Sequence, residues 1–153
     1  MFPRNLPPLG CRHHIVSNID FAETFLDAAG APVPSDMQGR SLVPVLQGKT
    51  PDDWRTSFYY HFYEDNDLDH RVARHEGVTT GKTKLINFYR LGEWELYDLA
   101  KDPHELNNVY GKSEYALVQT GMMAELDRQR KALDVPPNDL TKPEDRPQKA
   151  AKR

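Results

Sequence analysis

Along this chain the period of hydrophobic positions changes three times, and each change predicts a different element. After Ser17, Ala22, Phe25, Leu26 and Ala29 recur at i, i+3, i+4 and i+7, the spacing of one helix face. Ser17 and Asp20 stand three apart ahead of that stripe, as in a capping box with Asp in the acidic role. Gly30 supplies the left-handed residue that ends a helix, so the pattern predicts one over 18–29. Pro and Gly in APVPSDMQGR stop it. SLVPVLQG then allows a short second helix, capped by Ser41, with Pro44 in its first turn and Gly48 at its end.

From Thr56 the helical period is lost. TSFYYHFY places aromatics at 58, 59, 60, 62 and 63 without alternation, as in a strand covered on both faces. A polar excursion, EDNDLDHRVARHE, precedes the β-branched and aromatic runs GVTTGKTKLINFYR and EWELYDL, which break at Gly81-Lys82 and Leu91-Gly92 as hairpins do. Ser113 then opens a helix whose predicted stripe is Tyr115, Val118, Met122, Leu126 and Leu133. Gly121 inside that helix costs about 1 kcal/mol against Ala, so packing on the sheet must hold it. After Asp134 the chain carries Pro136, Pro137, Pro143 and Pro147 and no aromatic, the composition of a solvated tail. The class is α+β: a small antiparallel sheet of about four strands on a carboxyl-terminal helix, with an amino-terminal helix apart from it.

Length and charge narrow the function. One domain's worth of chain, 153 residues, carries 20 Lys plus Arg against 23 Asp plus Glu, so no positive excess awaits a nucleic acid. Mean hydropathy is -0.75, and no run approaches the ~20 apolar residues of a membrane span. Cys11 is the single cysteine, which rules out an internal disulfide and a thiolate zinc cluster. The start, MFPRNLPPLGCRHHIV, lacks the long apolar run of a secretion signal.

Several motifs invite chemistry and then fail on spacing. The GKT triplets at 48–50 and 81–83 lack the upstream Gly of a phosphate loop and read as turns. Asp65, Asp67, Asp69 and Glu76 fall at places 1, 3, 5 and 12 of a calcium loop, but His70 stands where the turn demands Gly; a solvated acidic loop is expected. Cys11 has no elbow motif and is expected to be inert, and Glu93 and Glu95 read as surface acids on a hairpin. His61, inside the aromatic strand, reads as a satisfied core residue. His70, Arg71, Arg74 and His75 crowd hydrogen-bonding and cationic groups into one loop ahead of a strand, a combination able to grip a sulfate or carboxylate or to serve only as solvated charge.

Taken in order, SNIDFAETFLDAAG, DMQGRSLVPVLQG, WRTSFYYHFY, HRVARHEGVTTGKTKLI and WELYDLAKDPHELNNV resemble the carboxyl-terminal third of a type I sulfatase, a branch of the alkaline-phosphatase-like superfamily. The resemblance spans Ile15 to Val135 and is most specific from Trp94 to Asn108. It implies an irregular start over 1–16, a helix and loop over 17–50 leading from a catalytic domain, the carboxyl-terminal subdomain over 51–135 and a disordered tail over 136–153. Enzymes of this family attack sulfate esters with a formylglycine made from Cys or Ser in Cys/Ser-x-Pro-x-Arg, beside a calcium ion. Neither Cys11 nor any serine here stands in that motif, so the nucleophile and the calcium are expected in an amino-terminal catalytic domain, the partner this chain needs.

His70-x-Val72-x-x-His75-x-Gly77-Val78 resembles the family loop at the pocket mouth, which makes His70 and His75, with Arg74, the substrate-binding candidates toward a sulfated sugar or aryl sulfate. Thr79 and Thr80 stand where relatives often carry Arg and Thr. DPHELNN resembles a structural turn of the family, opened by Asp102-Pro103. The expected function is that of a sulfatase supporting and pocket-rim subdomain, inactive alone; the alternative is a stand-alone module that holds sulfated sugars through the His/Arg loop.

Overall fold

The computed structural model describes residues 14–64, 72–138 and 140. The chain forms two compact units, Met1–Thr56 and Ser57–Arg153.

In the second unit the strand-forming runs become β1 (Phe58–Phe62), β2 (His75–Thr79), β3 (Thr83–Phe88) and β4 (Glu93–Asp98), an antiparallel meander in sequence order. Both turns use glycine at positive φ, Gly81 at 76° and Gly92 at 69°, so the second GKT triplet is a hairpin turn. Thr79 and Thr80 serve that turn, the Thr80 hydroxyl accepting from the Thr83 amide at 3.2 Å and the Thr79 hydroxyl from the Gly81 amide at 3.1 Å. Register places Tyr59, Val78, Leu85 and Leu96 in one row. Val78, Leu85 and Leu96 join Val109, Met122 and Leu126 in one buried core beneath helix α3 (Ala116–Ala132). Each such side chain stabilises the fold by roughly 1.5–3 kcal/mol on burial.

Two details of α3 differ from the sequence pattern. A turn of 3-10 helix, Ser113–Tyr115, precedes it with no side-chain cap. Val118 and Leu133 are exposed, while Gln129 and Arg130 turn polar contacts toward Ser57 and Glu76. Ser57, buried ahead of β1, binds both Glu125 and Gln129, so polar contacts dock that part of the helix. The DPHELNN turn is architectural: Asp102 accepts from the Asn107 amide at 2.7 Å, and Asn108 ties β4 to Tyr110 by accepting from the amides of Leu96 at 3.0 Å and Tyr110 at 2.9 Å. The left-handed backbone there belongs to Glu105, at φ 55°.

In the first unit, α1 (Asp20–Ala28) and the short α2 (Val43–Leu46) form where the pattern predicts, with Gly30 at φ 72° closing α1. The cap position of α2, however, is Leu42 and not Ser41, whose hydroxyl one residue earlier accepts from the Val43 amide at 3.2 Å. Half of the capping box is present: the Ser17 amide donates to Asp20 at 2.8 Å, while the Ser17 hydroxyl turns to Asn18. The buried face of α1 is not the apolar stripe, however. Asp20, Glu23 and Thr24 are buried, and Ala22, Phe25 and Ala29 are exposed.

The cause is a hub on Asp20. Its carboxylate accepts two hydrogen bonds from Arg55, at 2.7 and 2.6 Å, and one from the Arg40 amide at 2.9 Å. Burial pushes the Asp20 carboxyl up, but Arg55 and the amides of Arg40 and Ser17 outweigh it and hold it below its ordinary value. Arg40 and Arg55 both lie over the Trp54 ring, 4.9 and 5.4 Å from its centre. Gly39 lets the loop pass close: a Cβ there would stand 2.1 Å from the Ile19 carbonyl oxygen. Three separated sequence blocks, SNIDF, QGRS and WRTS, thus converge on one carboxylate.

Candidate functional site

The connection between β1 and β2 carries the substrate-binding candidates. His70 lies outside the described residues, as do Arg71, Asp65, Asp67, Asp69 and Cys11. His75 opens β2 opposite Phe62. Its Nδ1 lies 2.9 Å from the Ala73 carbonyl oxygen, an acceptor only, so Nδ1 carries a proton and the neutral ring keeps its lone pair on Nε2. Phe62 stacks on the imidazole at 5.3 Å, Phe88 tilts against it at 5.1 Å and Tyr60 meets it edge-on at 5.9 Å. Three aromatic rings and a fixed tautomer leave the ring little freedom.

Arg74 stands directly ahead of β2. Its positive charge bears on His61 and Tyr89. Gly77, two residues beyond His75, is required by a close approach: a Cβ there would stand 2.4 Å from the Tyr60 hydroxyl and 2.6 Å from the Leu85 carbonyl.

The helix side of the same strand end holds a cluster that the sequence pattern did not reveal. Glu76, 2% exposed, forms an ion pair with Arg130 of α3. It also accepts from the Tyr59 hydroxyl at 2.9 Å and the Asn138 amide at 2.7 Å. Arg130 is held in turn by the Pro136 carbonyl at 3.0 Å and Asn138 at 3.1 Å. Because the Tyr59 proton goes to the carboxylate, the Tyr59 oxygen accepts from His61 Nδ1 at 3.0 Å. That leaves His61 Nε2 to accept from the Tyr89 hydroxyl at 3.0 Å.

Burial pushes the His61 imidazole below its ordinary value, with Glu76 pulling the other way. His61 is the satisfied residue its strand position implied. Glu76 is committed to Arg130, Tyr59 and Asn138, so the twelfth place of the acidic loop does not fit a calcium ligand. Among the described residues no group of three or more His, Cys, Asp or Glu could hold a metal ion.

A four-stranded antiparallel meander backed by a carboxyl-terminal helix, entered through an Asp20-centred helix and loop, is the carboxyl-terminal architecture of alkaline-phosphatase-like sulfatases. The chain belongs to that family: the family model described as N-sulphoglucosamine sulphohydrolase, C-terminal, matches residues 1–132. It is 49% identical over 133 residues to an N-acetylglucosamine-6-O-sulfatase of Bacteroides thetaiotaomicron, covering 85% of this chain and 24% of the relative. A solved structure described as a complex with its substrate D-glucosamine-2-N,6-O-disulfate superimposes with a TM-score of 0.71 at 51% identity, over 75% of this chain and 24% of that one. A phosphonate monoester hydrolase of Agrobacterium radiobacter matches at a TM-score of 0.58 and 29% identity, over 74% of this chain and 24% of its own. The chain therefore spans about a quarter of the length of these relatives.

Proposed function

We propose that these residues form the supporting and pocket-rim subdomain of a sulfatase acting on a sulfated amino sugar, and that they do not hydrolyse sulfate esters alone. The observation that carries this reading is the 49% identity to a sugar 6-O-sulfatase over 24% of its length. His75, held at the foot of the family's rim loop, gives that likeness a chemical counterpart.

In this reading the formylglycine nucleophile and the calcium that neutralises charge developing on the sulfate belong to polypeptide outside these residues. This chain contributes His75, with His70 and Arg74 ahead of it. With Nδ1 fixed on a backbone carbonyl, Nε2 is the atom able to meet the sugar oxygen that departs, accepting from its hydroxyl in the product or donating when the ring is protonated.

The test is a chimera in which this chain replaces the matching quarter of the Bacteroides enzyme. The chimera should hydrolyse N-acetylglucosamine 6-sulfate, and His75→Ala should lower its kcat/KM by roughly 10²-fold, the low end for a lost proton-transfer group. The 153-residue chain by itself should show no turnover and no salt-sensitive binding of sulfated oligosaccharides. Turnover by the chain alone, or a His75→Ala chimera as active as its parent, would refute the reading, and salt-sensitive binding would favour a binding module instead.

A further inference from the structure

We infer that Tyr63 is a stacking platform for a sugar ring of the substrate glycan, next to the ring that carries the reacting sulfate; the ligand class rests on the proposed function. Among the described residues of the second unit Tyr63 is the only exposed aromatic side chain, at 56%. It follows β1 directly, at the start of the connection that carries the rim candidates. Its neighbour Phe62 stacks on His75, which ties this place in the chain to the pocket rim.

What separates Tyr63 from an ordinary surface tyrosine is its support. One face of its ring lies on the His61 imidazole, with centroids 3.7 Å apart and planes 23° from parallel. His61 is not free to turn, because Tyr59 holds its Nδ1 and Tyr89 its Nε2, each at 3.0 Å. Tyr59 is anchored in turn on the buried Glu76. A hydrogen-bonded chain running to the interior thus fixes the plane of an exposed ring, so the entropy of ordering that ring is lost in folding and not in binding.

The chemistry of the occupant follows from the face on offer. An aromatic face is electron-rich, and the polarised C–H bonds on one side of a pyranose pack against such a face. Burial favours the neutral His61 imidazole, which withdraws little density from the tyrosine stacked on it. The charges of Arg74 and Arg90 bear on the adjoining Tyr89, so the surroundings suit an anionic ligand, as a sulfated glycan is. A protein partner is a poor occupant, since one ring offers far less than the ~800 Å² per side of a stable complex.

The chimera reads the platform through substrate length. With a tetrasaccharide ending in N-acetylglucosamine 6-sulfate, Tyr63→Ala should raise KM about tenfold at unchanged kcat, as expected for one lost stacking contact. With the monosaccharide, which has no second ring, both constants should match the parent. Tyr63→Phe keeps the face and should behave as the parent on both substrates. In the full chain, the unsulfated N-acetylglucosamine tetramer at millimolar concentration should shift the His61 and Tyr63 ring resonances equally at low and high salt. In Tyr63→Ala the His61 shift should vanish. Indifference to salt sets this contact apart from the salt-sensitive binding of a stand-alone module.

Equal tetrasaccharide KM values for parent and Tyr63→Ala overturn the inference, as does a loss shared by the monosaccharide, which marks a structural role. An active chimera indifferent to Tyr63 therefore sinks the platform and spares the proposed function. An inactive chimera beside a chain that shows the Tyr63-dependent shifts sinks the function and spares the platform, and an inactive chimera without those shifts sinks both.

Discussion

Replacing Arg130 with Met tests the buried cluster at the root of the rim loop. Glu76 is 2% exposed and the Arg130 side chain 19%, so the pair lies largely out of water. Removing one partner of a buried pair costs about 3–5 kcal/mol, because the remaining charge is left uncompensated. Tyr59 and Asn138 still donate to the carboxylate, which argues for the lower end, about 3 kcal/mol. Met keeps much of the apolar stem that Arg130 packs, so little of the loss should come from a cavity. For a body of this size the change corresponds to roughly 12–24 °C in melting midpoint. Urea unfolding followed by Trp94 fluorescence in a Trp54→Phe background reads this unit, since Trp54 belongs to the other. The double variant Glu76→Gln, Arg130→Met should be less damaged than Arg130→Met, having no orphaned charge. A loss under about 1 kcal/mol, or a double variant no better than the single, would refute the reasoning.

Gly121→Ala should stabilise the same unit by about 1 kcal/mol, because Gly121 is exposed, lies inside α3 and has nothing within 4 Å of the place an added methyl would take; a lower midpoint in the same melt would contradict this. Gly77→Ala should cost about 2–3 kcal/mol, since the new methyl meets a backbone oxygen at 2.6 Å as well as the Tyr60 ring, and equal urea midpoints would show that the strand yields. Acid should weaken this unit through Glu125. Hydrogen bonds from Arg128 above all, then from Ser57 and Gln129, hold its carboxyl down at about 2 from an ordinary 4.5 against the opposing effect of burial. The unfolded chain therefore takes up that proton first, so the stabilisation is complete above about pH 4.5 and is lost as the pH falls toward 2. Arg128 is 59% exposed, which reduces the contribution to about 1–2 kcal/mol. Arg128→Ala should flatten the pH dependence of the urea midpoint over that range, and an unchanged slope would rule Glu125 out as its source.

The order of elements was legible in the sequence because each depends on its own neighbours. The aromatic run at 58–62, the turns at Gly81 and Gly92, and the Gly30 stop of α1 are local decisions, and the structure places each where the pattern did. The family likeness was legible too, most specifically over 94–108, where Asp102 and Asn108 hold the turn through their own side chains. What tertiary structure alone decided is which side of an element meets what. Periodicity marks the Phe25 stripe of α1 as an inner face, yet the bidentate pull of Arg55, 35 residues away, turns Asp20 inward and the aromatics out. Glu76 looks like the last acid of a calcium loop until Arg130, 54 residues later, neutralises it. A helical or strand period records that two faces differ in polarity; only the arrival of distant charged side chains fixes which face is buried.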